Sequence, residues 1–100
     1  MHYPIFNGYV SKVSDAYSLL PSELFTKDKR RDIVDARQLL YYLCHKRPMR
    51  IRYIQQFMED NGYKISHSSI IHGIKQVKDR AKKDSDYKTI INNISECVTL

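Results

Sequence analysis

The sequence predicts an all-α protein, a compact bundle of five to six helices. Apolar residues recur at helical spacing in each long segment, no segment shows a convincing period of two, and the breaks fall at proline, Asn-Gly or Asp-Ser-Asp. One hundred residues, 42% of them hydrophobic, suit one domain with a modest core. Residues 1–9 read as an N-terminal arm, either ordered over the core or frayed, and residues 10–100 as a single helical domain.

The first helix is expected from about Tyr9 to Leu20, with Val10, Val13, Tyr17 and Leu20 inward and Pro21 as its stop. A short turn, "PSELF", then brings Leu24 and Phe25 inward. The second helix, about Arg30 to Lys46, places Ile33, Val34, Ala36, Leu40, Leu43 and Cys44 on a face broad enough for a central element. It ends at Arg47-Pro48, because the residue before a proline is pushed out of the helical region. The third, about Met49 to Asp60, carries Ile51, Ile54, Phe57 and Met58 on one stripe and closes at Asn61-Gly62.

The fourth helix opens in "ISHSSIIHGIKQVKDR". Ser66 is its N-cap, and Ile65 with Ile70 has the spacing of a hydrophobic staple. Ile70, Ile71, Ile74, Val77 and Ala81 share one arc, with Ser68, His72, Lys75 and Asp79 opposite. Gly73 in mid-helix costs roughly 1 kcal/mol relative to Ala, which points to another helix packed closely there. Asp84-Ser85-Asp86 caps a last helix, about Asp86 to Val98, with Ile90, Ile91, Ile94 and Cys97 inward.

The formal net charge of +6 is concentrated. Lys27 to Arg52 holds nine basic and three acidic residues, so the rest of the chain balances to zero. A localised positive field favours a polyanion, nucleic acid first and an acidic membrane surface second. No apolar run is long enough for a bilayer, and "MHYPIFNGYV" lacks the basic start of a signal peptide. A cytoplasmic, nucleoid-associated protein is expected, without membrane or small-molecule partner. Cys44 and Cys97 fit two buried free thiols better than a disulfide.

Enzymatic and metal chemistry find no support. A phosphate-binding G-x-x-x-x-G-K-[ST] loop is absent, His67 and His72 point to different faces of one helix, and neither cysteine has a ligand at zinc-site spacing. No catalytic residue, metal or cofactor is expected. The eight tyrosines invite a base-stacking platform, but scattered tyrosines with surface hydroxyls account for them better.

Helix, glycine turn, then a helix opening on small polar residues is a helix-turn-helix layout. Ser66, His67, Ser68, Ser69 and His72 would then face base edges, since hydroxyls and imidazoles both donate and accept. An ordinary cap with polar neighbours explains the same residues. Lys27, Lys29, Arg30, Arg31 and Arg37 would contact phosphate or the minor groove, with Lys46, Arg47, Arg50 and Arg52 as further phosphate candidates. Cations at a helix start oppose its dipole, so helix stability is no reason for "TKDKRRD", although a solvated helix start remains the alternative.

Two stretches resemble one family. "DARQLLYYL" (Asp35 to Leu43) is similar to a segment of the C-terminal DNA-binding domain of the bacterial replication initiator DnaA, and "SHSSIIHGIKQV" (Ser66 to Val77) to its D-H-[ST]-T signature. The resemblance implies a Trp-repressor-like fold that binds double-stranded DNA, with Ser66, His67, Ser68 and Ser69 reading bases and Lys29 at the minor-groove position. Ser66 departs from the family's acidic residue, Ser68 and Ser69 lack threonine methyls, Lys29 replaces an arginine, and the stretch from Ile54 to His67 is longer. The family's target sequence is therefore not carried over. Its ATPase region has no counterpart here, so origin melting and ATP switching are not expected. The expectation is a small replication or transcription regulator, phage- or plasmid-borne on grounds of size and then resident in the host cytoplasm. The alternatives are a module that keeps the fold but binds an acidic partner protein, and an RNA binder using Tyr41 or Tyr42.

Overall fold

Five α-helices and one 3-10 turn make up the computed structural model, which describes residues 3–97, with the Cys97 side chain left out. The inward placement of Cys97 and the end of the last helix at Val98 lie outside what is described. Among the described residues there is no strand, and no helix is long and apolar enough to cross a membrane.

Helix α1 runs Tyr3–Ala16, so it is already helical at Tyr3 rather than from about Tyr9, and it takes in residues 3–9 of the stretch read as an arm. Phe6 and Tyr9 are buried there beside Val10 and Val13. The helix ends before Pro21 for a local reason. Ser18 adopts a positive φ of 55°, and Leu19 N donates to Ser14 O, a reversal that closes the last turn. That reversal turns Leu20 out to 66% exposure, which corrects its inward assignment. The turn Pro21–Phe25 follows and buries Leu24.

Helix α2 (Arg31–Lys46) is the central element, with buried residues from Ile33 to Cys44. Helix α3 (Ile51–Asp60) buries Ile54 and Met58. Helix α4 (His67–Lys83) buries Ile70, Gly73, Ile74 and Val77, and packs more extensively on α2 than on any other helix. Gly73 is the reason they fit. A Cβ there would lie 3.1 Å from both Gln38 Cγ and Tyr41 Cδ2 of α2. Helix α5 (Ser85–Cys97) is capped by Asp84, whose Oδ1 accepts from Tyr87 N.

Two further inward assignments are corrected. Ile71 is 52% exposed because Ile70 and Ile74 already fill the buried arc of α4. Ile90 is exposed because Tyr87, Ile91 and Ile94 form the buried stripe of α5 at spacings of four and three. The Cα radius of gyration is 12.2 Å, close to the roughly 13 Å of a 100-residue globule, so all five helices share one core.

Candidate nucleic-acid interface

The turn between α3 and α4 is built by local chemistry. Gly62 adopts φ +89°, Gly62 N donates to Glu59 O, and Tyr63 N donates to Met58 O at 2.9 Å. This pairing satisfies the last carbonyls of α3 and aims Tyr63 back at α2. The Ile65 carbonyl accepts from Gln55 Nε2 at 2.7 Å, which anchors the approach to α4 on α3. Ser66 then caps α4, accepting from Ser69 N at 3.1 Å and donating its hydroxyl proton to Ser69 Oγ at 3.0 Å.

The two hydroxyls of the cap, Ser66 and Ser69, are thus engaged with each other. His67, Ser68, Ser69 and His72 are all exposed. Ser68, Ser69 and His72 share a hollow of about 300 Å³ with Val34, Gln38 and Tyr41 of α2, while His67 stands outside it. Arg37 Nε and Tyr41 Oη, both buried, have no hydrogen-bond partner among the described residues and belong to side chains lining this hollow. Burial pushes the Tyr41 phenol well above its ordinary value, the neighbouring Tyr63 adding to it, so the hydroxyl stays protonated.

The basic loop is tied to the same turn. Lys27 Nζ donates to Lys64 O at 3.1 Å and sits 4.6 Å from the Tyr63 ring centre. Arg37 donates from Nη1 to Tyr63 Oη at 2.7 Å and from Nη2 to the carbonyl of Asp28, with its guanidinium 4.8 Å from the same ring. Tyr63 is therefore a strut between two cations, joining the loop, α2 and the approach to α4. Arg37, read from the sequence as a phosphate or minor-groove candidate, is only 8% exposed. Its Nη1 and Nη2 donors hold Tyr63 and the loop carbonyl of Asp28.

The remaining loop cations differ in freedom. Lys29 is exposed and has no hydrogen bond or ion pair among the described residues. Arg30 is held by Glu23 at 3.2 Å and Asp32 at 3.4 Å. Arg31 is nearly fully exposed, 3.7 Å from Asp35, which also meets Arg80 of α4 at 3.6 Å.

Lys46, Arg47, Arg50 and Arg52 form a separate group around the start of α3. Lys46 lies over Tyr42, Arg47 donates to Tyr9 Oη at 3.1 Å, and Arg52 donates to Tyr53 Oη at 3.4 Å. That bond, with the charge of Arg52, lowers the Tyr53 phenol below its ordinary value. Ile51, between Arg50 and Arg52, lines a hollow with Ile71 and Lys75, on a different face of α4 from the hollow of Ser68, Ser69 and His72. Tyr41 is buried and Tyr42 half-buried, so the pair offers no open stacking platform. Among the described residues no group of three or more His, Cys, Asp or Glu is placed to hold a metal.

Sequence reasoning missed Tyr63, Gln38 and Lys64. No local pattern marks a tyrosine shortly before a cap as a strut. The signal available was a Tyr-Lys pair following Asn-Gly, opposite a basic loop.

The family described as "Bacterial dnaA protein helix-turn-helix" matches residues 10–77, more than half of the chain. A curated relative, the chromosomal replication initiator protein DnaA of Lachnoclostridium phytofermentans, is 27% identical over 84 residues. That match takes in 83% of this chain and 18% of the relative, so the chain spans less than a fifth of the relative's length.

Proposed function

The chain belongs to the bacterial DnaA helix-turn-helix family, a family of DNA-binding domains, and from that premise we propose that it binds duplex DNA with sequence preference. In this reading the tip of α4 enters the major groove, where His67, Ser68, Ser69 and His72 meet base edges. Ser66 shapes the tip as its cap. Lys29, Arg30 and Arg31 meet phosphate or the adjacent minor groove, with Lys27 beside them, and Arg50 and Arg52 engage phosphate on the other flank. The role is that of a replication or transcription regulator.

One observation carries the reading: the contacts of Lys27 and Arg37 with Tyr63 join the basic loop to the turn that launches α4. A reading tip and a cationic loop held together in this way can engage one stretch of duplex without first ordering themselves.

Selection from a random duplex pool at two salt concentrations tests this. One consensus is expected at both, with log Kd rising by about 0.9 per log unit of salt for each phosphate neutralised. Replacing His67 and Ser68 together by Ala should flatten the consensus and spare most of the salt slope. Replacing Lys29, Arg30 and Arg31 should do the opposite. A pool that stays random at low salt, or an alanine pair that leaves the consensus intact, overturns the major-groove assignment.

A further inference from the structure

On the flank of α4 away from Gln38 and Tyr63, three hollows of about 210, 300 and 220 Å³ run into one another. His45 and Lys78 line both the first and the second, and Tyr42 and Lys78 both the second and the third, so together they form one groove centred on Lys78. Its floor is apolar, made by Ile51 of α3, Ile74 and Ala81 of α4 and the half-buried Tyr42 of α2. Ile71, 52% exposed, stands at one end. The walls carry Lys46, Lys75, Lys78, Lys82 and Lys88, and no lining residue is acidic. Among the described residues none of these five lysines forms an ion pair. Asp79, on the same stretch of α4, does not line the groove.

We infer that this groove docks an acidic amphipathic helix of a partner protein, by a contact separate from DNA binding. An exposed isoleucine over an apolar floor is the surface that an amphipathic helix covers, and unpaired ammonium groups on both walls fit a helix whose flanks carry Asp and Glu. The length agrees. From Ile71 to Lys82 the helix rises about 17 Å, roughly three turns, enough for anchors at i, i+3, i+4 and i+7. Duplex DNA accounts for the lysines but not for the floor, because phosphates would leave Ile51 and Ile71 in water. Lys82 also lies about 21 Å along the helix from Ser68, beyond the N-terminal turns with which such a helix meets bases.

The test uses the full chain and a fluorescent synthetic helix with Leu at i, i+3, i+4 and i+7 and Glu elsewhere, read by anisotropy beside polyglutamate of equal length and duplex DNA. The amphipathic peptide is expected to bind, and Ile71→Ser and Lys78→Glu each to weaken it by about tenfold or more. Ile71→Ser, a change at an exposed position, should leave duplex affinity within about twofold. Three results overturn the inference: no binding of the peptide, polyglutamate binding equally well, or duplex DNA displacing the peptide while Lys78→Glu weakens both alike. The random-duplex consensus is read separately, so failure here and failure of the DNA reading are distinguishable.

Discussion

A guanidinium taken almost wholly out of water must find acceptors, and Arg37 finds them on two different segments. It gives one proton to Tyr63 Oη and another to the carbonyl of Asp28, so one side chain sets both the loop and the turn before α4. Arg37→Met is therefore expected to cost about 2 kcal/mol in denaturant melts, since hydrogen bonds to charged groups contribute roughly 1.5–3 kcal/mol. It should weaken DNA binding while leaving the salt slope unchanged. Arg31→Ala should behave oppositely, with stability altered by less than about 0.5 kcal/mol and the salt slope reduced by about 0.9. A melt and a salt titration on each variant separate a positioning arginine from a phosphate-binding one. The buried place of Arg37 was legible in the sequence, because it lies four residues from Ile33, three from Leu40 and seven from Cys44. Counting it as a surface cation follows its charge and overlooks its position.

Among the elements, α4 carries the site and α2 sets where α4 lies. Gly73 is the joint between them, and two effects of a Cβ oppose each other there. Gly73→Ala would gain about 1 kcal/mol in helix propensity. Its new methyl, 3.1 Å from Gln38 Cγ and Tyr41 Cδ2, meets one side chain that can yield and one ring that is 2% exposed. Overpacking costs about 1–3 kcal/mol and outweighs that gain, so a net loss of about 1 kcal/mol is expected in thermal or denaturant melts. Ser66→Ala should also cost about 1 kcal/mol by removing the bond to Ser69 N. The breaks between α2, α3 and α4 and the Ser66 cap were readable because each rests on residues within one turn of it. The start of α1 was harder. Tyr3, Phe6, Val10 and Val13 have helical spacing, but Pro4 and Gly8 argue against a helix unless the core behind Phe6 and Tyr9 is taken into account.

For the whole molecule, burial of acidic groups sets an alkaline limit. Burial pushes the Cys44 thiol above its ordinary value near 9, and pushes Tyr17, Tyr41 and Tyr87 above theirs near 10. Below pH 9 folded and unfolded chains hold these protons alike. Above it the unfolded chain ionises first and binds fewer protons, so stability falls as pH rises. The slope is about 1.4 kcal/mol per pH unit for each group. Melting temperature should therefore stay level through neutral pH and decline from about pH 9. Cys44→Ala should lower the starting stability through its cavity yet delay the decline to about pH 10, where the tyrosines begin to act. A decline with the same onset in both proteins would contradict this account.

The order of amino acids was enough to specify the helical class, the breaks between α2, α3 and α4, the Ser66 cap and the concentration of charge between Lys27 and Arg52. Propensity, capping and periodicity all act within a few residues, so they can be read in chain order. Packing in three dimensions was needed to set the basic loop beside the tip of α4, to make Arg37 a strut's partner and to enclose a lysine-walled groove between α2, α4 and α5. Lys27 meets Lys64 across 37 positions and Arg37 meets Tyr63 across 26. Contacts at that separation form only when the packed core brings distant segments together, and no local period records them.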